Sequence, residues 1–198
     1  MDQAEPIHVH FETDRFVLRT LSENDASQRW ADWLNDPVTA RMLNVPPRVV
    51  SVEELKGLIR AVDQYEKLVL GVFLLGTNTH VGVVRMRFID QRRRMTPGVL
   101  IGDPAWRNVG ALQEVANAVG TYFFEAFDLE AMVARVPTYN AYIIKYLEDR
   151  EWRLVGKEQS IRADGDGKHQ ELFVYELPRS VWLDRKQRGF FGGPKSAS

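Results

Sequence analysis

The sequence predicts an α/β (α+β) fold: a mixed, mostly antiparallel, twisted sheet of about six to seven strands flanked by helices. Two patterns carry that prediction. Short runs rich in Val, Ile, Leu and Phe alternate with period two and are separated by Gly, Asn and Pro turn signals, the mark of hairpins. Between two of these runs stands one long stretch with apolar residues at helical spacing, so a β-α-β unit is embedded among the hairpins.

The elements follow in order. Arg15-Phe-Val-Leu-Arg-Thr-Leu21 alternates as a first strand. Ser22-Glu-Asn-Asp25 supplies capping residues for a helix through Trp30, Trp33 and Leu34, and Asn35-Asp36-Pro37 breaks it. Pro37 suits the first turn of a short helix reaching Leu43, and Val45-Pro46-Pro47 reads as an extended linker. Ser51 with Glu54 forms a capping box for a helix that carries Leu55, Leu58, Ile59 and Val62 on one face. A three-strand meander comes next: Lys67 to Leu75, His80 to Ile89, and Thr96 to Asp103. Gly76-Thr-Asn-Thr79 joins the first two strands, and the basic tip Gln91 to Thr96 leads into the third. Val109 to Phe127 is the long helix, Ala131 to Val136 a short strand and Tyr139 to Glu151 a further amphipathic helix. Trp152 to Ile161 and His169 to Leu177 close the sheet around the turn Ala163 to Gly167, and a helical stub follows Pro178. One domain is expected over residues 1–188, with 1–11 a mobile segment and 189–198 a disordered tail.

Composition narrows the function classes. Hydrophobic residues make up 44% and charged residues 27%, and 198 residues suffice for one sizeable core. A net charge of −1 offers no overall attraction to nucleic acid or anionic lipid, so neither is an expected partner. No apolar stretch approaches the ~20 residues that span a bilayer. The chain has no cysteine, which excludes disulfides, thiolate nucleophiles and Cys-ligated zinc and is compatible with the cytoplasm, the expected location. His8 and His10 are a close pair at a spacing poor for metal, and no metal is expected.

The stretch Gly98-Val-Leu-Ile-Gly-Asp-Pro-Ala-Trp-Arg-Asn-Val-Gly-Ala-Leu112 carries the chemistry. A strand runs through a short loop into the long helix, whose first N–H groups are free to bind phosphate oxygens with the helix dipole behind them. Gly110 lets an anion approach those amides, and Arg107 adds a charge at the rim. A second reading stays open at this point, with Gly110 a plain helix-start glycine and Arg107 a solvated surface residue.

Element order and a second segment make the chain resemble the GNAT acetyltransferases. That family opens the helix after its fourth strand with Arg/Gln-x-x-Gly-x-Gly/Ala. Arg107-Asn-Val-Gly110-Ala-Leu112 matches at Arg107 and Gly110, with Leu112 in place of the last small residue. The family also carries an Asn after its fifth strand and a helix ending in a Glu-Lys-x-Gly-Phe-like turn. Asn140, Glu148 and Trp152 match, with Glu151 where glycine is usual. Phe16-Val-Leu-Arg19, Trp30 to Pro37 and Arg41-Met-Leu43 are similar to the branch holding ribosomal-protein N-terminal and amino-sugar acetyltransferases. The resemblance spans roughly Arg15 to Leu177.

The resemblance implies acetyl-CoA as co-substrate and an amine that attacks the thioester directly. Carried across, Val99, Leu100 and Ile101 line pantetheine and polarise the thioester carbonyl. Arg107, Asn108, Val109, Gly110, Ala111 and Leu112 hold the pyrophosphate, and Asn140 contacts the pantetheine arm. Many relatives protonate the departing thiolate with a tyrosine in the helix after the Asn. Alignment puts Leu147 there, so Tyr146, about 100° round the helix, is the candidate acid, with packing as its alternative. Asp103 is the candidate base, with capping as its alternative; Glu114 and His169 are weaker candidates.

Trp33, Arg85 and Arg87 are candidate acceptor contacts. Trp33 equally anchors a helix to its core. Arg85 and Arg87 turned inward would suit an acidic or phosphorylated acceptor; turned outward they serve solubility. The expected partner is a small-molecule amine, an amino sugar or a peptide N-terminus, and a homodimer is allowed. The rival reading is a GNAT-fold acyl-CoA-binding module with little or no activity.

Overall fold

The computed structural model describes residues 5–43, 48–163 and 169–190; the expected linker at 45–47, most of the turn at 163–167 and the tail from 191 onward lie outside the described residues. Eight strands form one sheet in the order β1-β2-β3-β4-β5-β6-β8-β7. They are β1 (His10–Glu12), β2 (Phe16–Thr20), β3 (Lys67–Leu74), β4 (His80–Ile89), β5 (Arg94–Ile101), β6 (Ala131–Pro137), β7 (Arg153–Ala163) and β8 (His169–Pro178). Every neighbouring pair is antiparallel except β5 and β6.

The strand beyond the expected count is β1, inside the segment the sequence suggested was mobile. Val9 and Phe11 are buried, the Ile7 amide donates to the Gln64 carbonyl at 2.7 Å, and the Thr20 amide donates to the Val9 carbonyl at 2.9 Å. Two apolar side chains at ~1.5–3 kcal/mol each, with these bonds, offset entropy of the same order lost in ordering residues 7–11.

Helix α4 (Ala111–Ala126) covers one face of the sheet. Val115, Val119 and Phe123 pack there with Phe16, Leu18, Val84 and Met86 in the main core. The other face carries α1 (Gln28–Asn35) and α3 (Val52–Arg60), where Trp30, Trp33, Leu55 and Ile59 meet Val69, Phe73 and Val83. Alternation along β3 and β4 sends neighbouring side chains into these two different cores. Helix α2 (Pro37–Met42) follows α1, α5 (Ala141–Glu148) seats Leu147 on Val136 and Tyr175, and α6 (Arg179–Gln187) buries Trp182 against Phe124. No helix among the described residues is long and apolar enough to cross a membrane.

The β5–β6 pair is what opens the sheet. Only Arg94 with Ala131 and Met95 with Met132 are partnered, and beyond them the strands separate. Pro97 explains where this happens. A proline fits an antiparallel ladder only where its nitrogen faces away from the bonded neighbour, and Pro97 stands opposite Met86 of β4. Its imide therefore faces β6 and has no hydrogen to offer. Residues in phase with it, Val99 and Ile101, turn their peptide groups the same way, into the gap.

Candidate active site

The gap between β5 and β6 is a cleft of about 380 Å³. Thr96 to Val99 form one wall, and Met132 and Ala134 to Pro137 the other. Leu112, Ala116 and Gly120 of α4 and Asn140, Ile143, Tyr146 and Leu147 of α5 roof it, and Arg150, Trp182 and Arg185 line it as well.

At the open end, β5 passes through the turn Pro104–Trp106 into the loop before α4. Two residues there are left-handed, Asn108 with φ 60° and Gly110 with φ 79°. Asn tolerates this conformation and glycine takes it without penalty. A Cβ at Gly110 would meet only the Arg15 guanidinium, at 3.7 Å, so backbone conformation and not crowding selects glycine. Gly110 provides no side-chain cap. Among the described residues no amide from Asn108 to Gln113 donates a well-formed hydrogen bond; Glu114, bonded to the Gly110 carbonyl at 3.0 Å, is the first to do so. Unused donors at a helix start, next to left-handed turns that bring successive N–H groups together, fit an anion such as a diphosphate.

Arg107 is placed differently from the sequence expectation. Its Nε donates to the Ile101 carbonyl at 3.1 Å and its Nη2 to the Gly102 carbonyl at 2.7 Å and to Thr39 Oγ1 at 3.4 Å. The guanidinium thus closes the Ile101 carbonyl that β5 leaves facing the gap, together with the Gly102 carbonyl just past the strand. The cation beside the loop is Arg15, which the sequence reading passed over. It donates to the Val109 carbonyl at 3.0 Å and is held by Glu114 at 2.6 Å. Glu114 also accepts from Thr13 Oγ1 and the Arg15 amide, which leaves it no role as a base.

Asp103 is a cap and an ion-pair partner. One oxygen accepts from the Ala105 amide at 2.9 Å, the other is held by Arg29, and the residue is buried away from the cleft. Both oxygens are committed, so the expectation of a base does not hold. Trp33 is also structural: its indole lies flat on Gly102, where a Cβ would stand 2.1 Å from the ring. His169 is bonded to the Ser160 carbonyl in the β7–β8 hairpin.

Of the strand residues, Val99 lines the cleft while Ile101 is buried in the core, and Leu100 is outside the lining. Leu112, off the family pattern, is part of the cleft wall. Asn140 lines the cleft and caps α5, its Oδ1 accepting from the Ile143 amide at 3.3 Å. Tyr146 and Leu147 both line the cleft, and Leu147 is the more deeply seated. Burial pushes the Tyr146 phenol above its ordinary pKa, with Arg150 and Arg185 pulling the other way, so it stays protonated at neutral pH. The α5 terminus explains Glu151: the Trp152 amide reaches the Leu147 carbonyl and the Glu151 amide the Glu148 carbonyl, with Glu151 left-handed at φ 57°. That is a Schellman motif, whose left-handed position suits glycine. Arg85 and Arg87 are exposed on β4, opposite Gly98 and Thr96 of the cleft wall, and among the described residues they form no ion pair.

A sheet opened along one parallel pair, with unused amides at one end of the opening, suits a transferase that draws an activated group from a long phosphate-bearing carrier. The sequence matches the acetyltransferase (GNAT) domain over residues 15–149, and the chain belongs to that family. Its activity is acyl transfer. Over 140 residues it is 28% identical to YoaA, an uncharacterized N-acetyltransferase of Bacillus subtilis (strain 168), covering 65% of this chain and 74% of that one. The spermidine N-acetyltransferase from Vibrio cholerae, solved with CoA and spermine, superposes with a TM-score of 0.73 at 17% identity, covering 86% of this chain and 99% of that one. The ribosomal-protein-S5-alanine acetyltransferase from Vibrio fischeri gives a TM-score of 0.71 at 17% identity, with coverages of 88% and 98%.

Proposed function

We propose that this chain transfers an acetyl group from acetyl-CoA directly to a primary amine. The observation that carries the reading is the uncapped, left-handed start of α4 at the mouth of the β5–β6 cleft. Amides between Asn108 and Gln113, with Arg15 beside them, hold the diphosphate. The peptide groups of Val99 and Ile101 face the gap, and Val99 binds the pantetheine arm there as Asn140 flanks it. Acetyl-CoA supplies the activated acyl carbonyl. The cleft orients this carbonyl and keeps water from it, and Tyr146 donates its phenolic proton to the departing sulfur. With Asp103 and Glu114 both committed, solvent takes the proton of the attacking ammonium.

Arg85 and Arg87 are exposed and outside the cleft lining, so from β4 opposite the cleft wall they act by steering, toward an acceptor that carries negative charge near its amine, such as an acidic peptide N-terminus or a phosphorylated amino sugar. A polycationic amine is disfavoured by the same two charges. The test is thiol release from acetyl-CoA with a panel of polyamines, amino-sugar phosphates and N-terminal peptides. Turnover of the anionic acceptors, weakened by Arg85→Ala with Arg87→Ala, supports the reading. Binding of acetyl-CoA with no release for any amine would overturn it.

A further inference from the structure

The end of β5 is gripped from two directions. Past Ile101 the chain makes the turn Pro104–Trp106 and then the loop whose amides, from Asn108 to Gln113, carry no well-formed bond among the described residues. From the other side, the helices before β3 hold the same few residues. Arg29 of α1 pairs with Asp103, and the Trp33 indole lies on Gly102. Arg107 makes the third contact, and this one reaches α2.

The Arg107 guanidinium is committed inside the protein. Nε serves the Ile101 carbonyl at 3.1 Å, and Nη2 serves the Gly102 carbonyl at 2.7 Å and Thr39 Oγ1 at 3.4 Å. Turning it out to a phosphate would strip the donor from two backbone carbonyls, Ile101 being 8% exposed. A phosphate meets Arg15 and the free amides without that loss.

Thr39 passes the contact on. It is 2% exposed, its hydroxyl donates to the Asp36 carboxylate at 2.7 Å, and its carbonyl accepts from the Leu43 amide at 2.9 Å. Leu43 lines the cleft and, among the described residues, is the only one before β5 to do so. Helix α2 has six residues, far below the length at which a helix holds itself, so its order depends on what it touches. Among the described side chains, Arg107 to Thr39 is the only hydrogen bond that joins α2 to the β5 end.

We propose that Arg107 is a positioning residue that couples the diphosphate loop to the α2 edge of the cleft. An anion bound at Asn108 to Gln113 pins the residue that directly precedes them, and Arg107, through Thr39, then holds Leu43 in place. The diphosphate itself is left to the amides and to Arg15. The inference rests on the carrier placement in the acyl-transfer reading and deepens it, giving the donor site a grip on the opposite lip of the cleft.

The experiment uses the full chain with CoA as the probe and needs no acceptor. Hydrogen–deuterium exchange over residues 37–43 is measured with and without saturating CoA, and calorimetry gives the CoA Kd. In the unaltered chain CoA should slow exchange there on the order of tenfold. Arg107→Met, of similar length and without donors, should cut that protection below about twofold while shifting Kd by less than about threefold. Arg15→Ala gives the opposite split, with Kd weakened about tenfold and protection kept at saturation. Thr39→Val breaks the link from the other side and leaves both β5 carbonyls bonded, so it stands in if Arg107→Met does not fold. Comparing each variant with itself, with and without CoA, removes any general loosening of α2. A tenfold or greater loss of CoA affinity in Arg107→Met would put the guanidinium on the diphosphate and overturn the inference while acyl transfer stands. Protection that is absent in the unaltered chain, or that survives Thr39→Val, would overturn it equally. If CoA does not bind the unaltered chain, both readings fail.

Discussion

Helices α4 and α5 begin beside the same cleft and treat the same problem in opposite ways. Every helix start leaves N–H groups without intrahelical acceptors. At α5, Asn140 folds its side chain back onto the Ile143 amide. Helices α1 and α3 follow suit with Ser27 and Ser51. At α4 a glycine stands at the cap position in the left-handed region, with no side chain to offer. A side-chain cap, better than glycine by roughly a few tenths of a kcal/mol, is forgone where it would be easiest to supply. On the proposed reading, α4 leaves its first amides to an acceptor from outside the chain, whereas α5 is finished without one.

Changing Gly110 to Asp should break this contrast and produces the largest expected effect. A carboxylate about 4 Å from a phosphate opposes it by about 4 kcal/mol at an effective dielectric of ~20, roughly a thousandfold in CoA affinity. Gly110→Asn is the control, since asparagine tolerates the left-handed backbone and adds no charge. Equal Kd values for the two variants in calorimetry would show that no anion lies against this turn.

The closed flank of the same strand end has its own unmet atom, and it titrates. His80 lies among Phe73, Trp33 and Trp30, its Nε2–H donates to the Gly82 carbonyl at 2.9 Å, and Nδ1 has no partner among the described residues. Burial pushes its pKa down from 6.5 to about 4. The unfolded chain therefore takes up the proton first, and stability present above pH 6.5 drains away as pH falls toward 4. At ~1.36 kcal/mol per unit the loss across that window is roughly 2–3 kcal/mol. His80→Gln should flatten the slope of urea-midpoint stability over this range. Asp25 acts below it: burial raises its carboxyl, but hydrogen bonds from Arg19 and Ser22 outweigh that and hold it at about 2. An unchanged slope in His80→Gln would assign the acid sensitivity to another group.

The two regions also differ in how far they could be read from the sequence. Strand alternation and the spacing of Val115, Val119 and Phe123 are local patterns, so β2 to β8 and α4 were legible. The α4 start was legible because Gly110 directly precedes the helix it opens. Strand β1 was not, since three residues around Phe11 make no period. The residues Ser22 to Asp25 looked like the cap of α1, yet they close a separate turn, with Asp25 drawn to Arg19 at 2.6 Å and Ser27 capping the helix. Arg15 meets Glu114 and Arg107 turns onto β5 through contacts that depend on tertiary placement. Arg150, in the turn beyond α5, and Arg185 of α6 both line the cleft with no shared motif. Pro97 was legible in principle: a proline inside a strand already says that one edge lacks a partner.

Removing the α5 cap sharpens the comparison at a smaller scale. Asn140→Ala should lower stability by ~1 kcal/mol, a few degrees in Tm. If Asn140 also flanks the pantetheine arm, CoA affinity falls with it; if its role ends at the cap, Kd stays put, and the two readings part in one titration.

The smallest effect lies at the far end of the same helix, with the opposite sign. Glu151 holds the left-handed position of the Schellman turn, which costs an ordinary residue ~1–2 kcal/mol. Its exposed pair with Arg188 returns little, and Arg188 keeps Asp184 at 2.9 Å without it. Glycine releases the strain but loosens the unfolded chain by ~0.5–1 kcal/mol. Glu151→Gly should therefore stabilise by about 0.5 kcal/mol, measurable as a higher urea midpoint at constant slope. A destabilised variant would mean that Glu151 is kept for its charge near Arg185, which tightens the link between this terminus and the cations in the cleft.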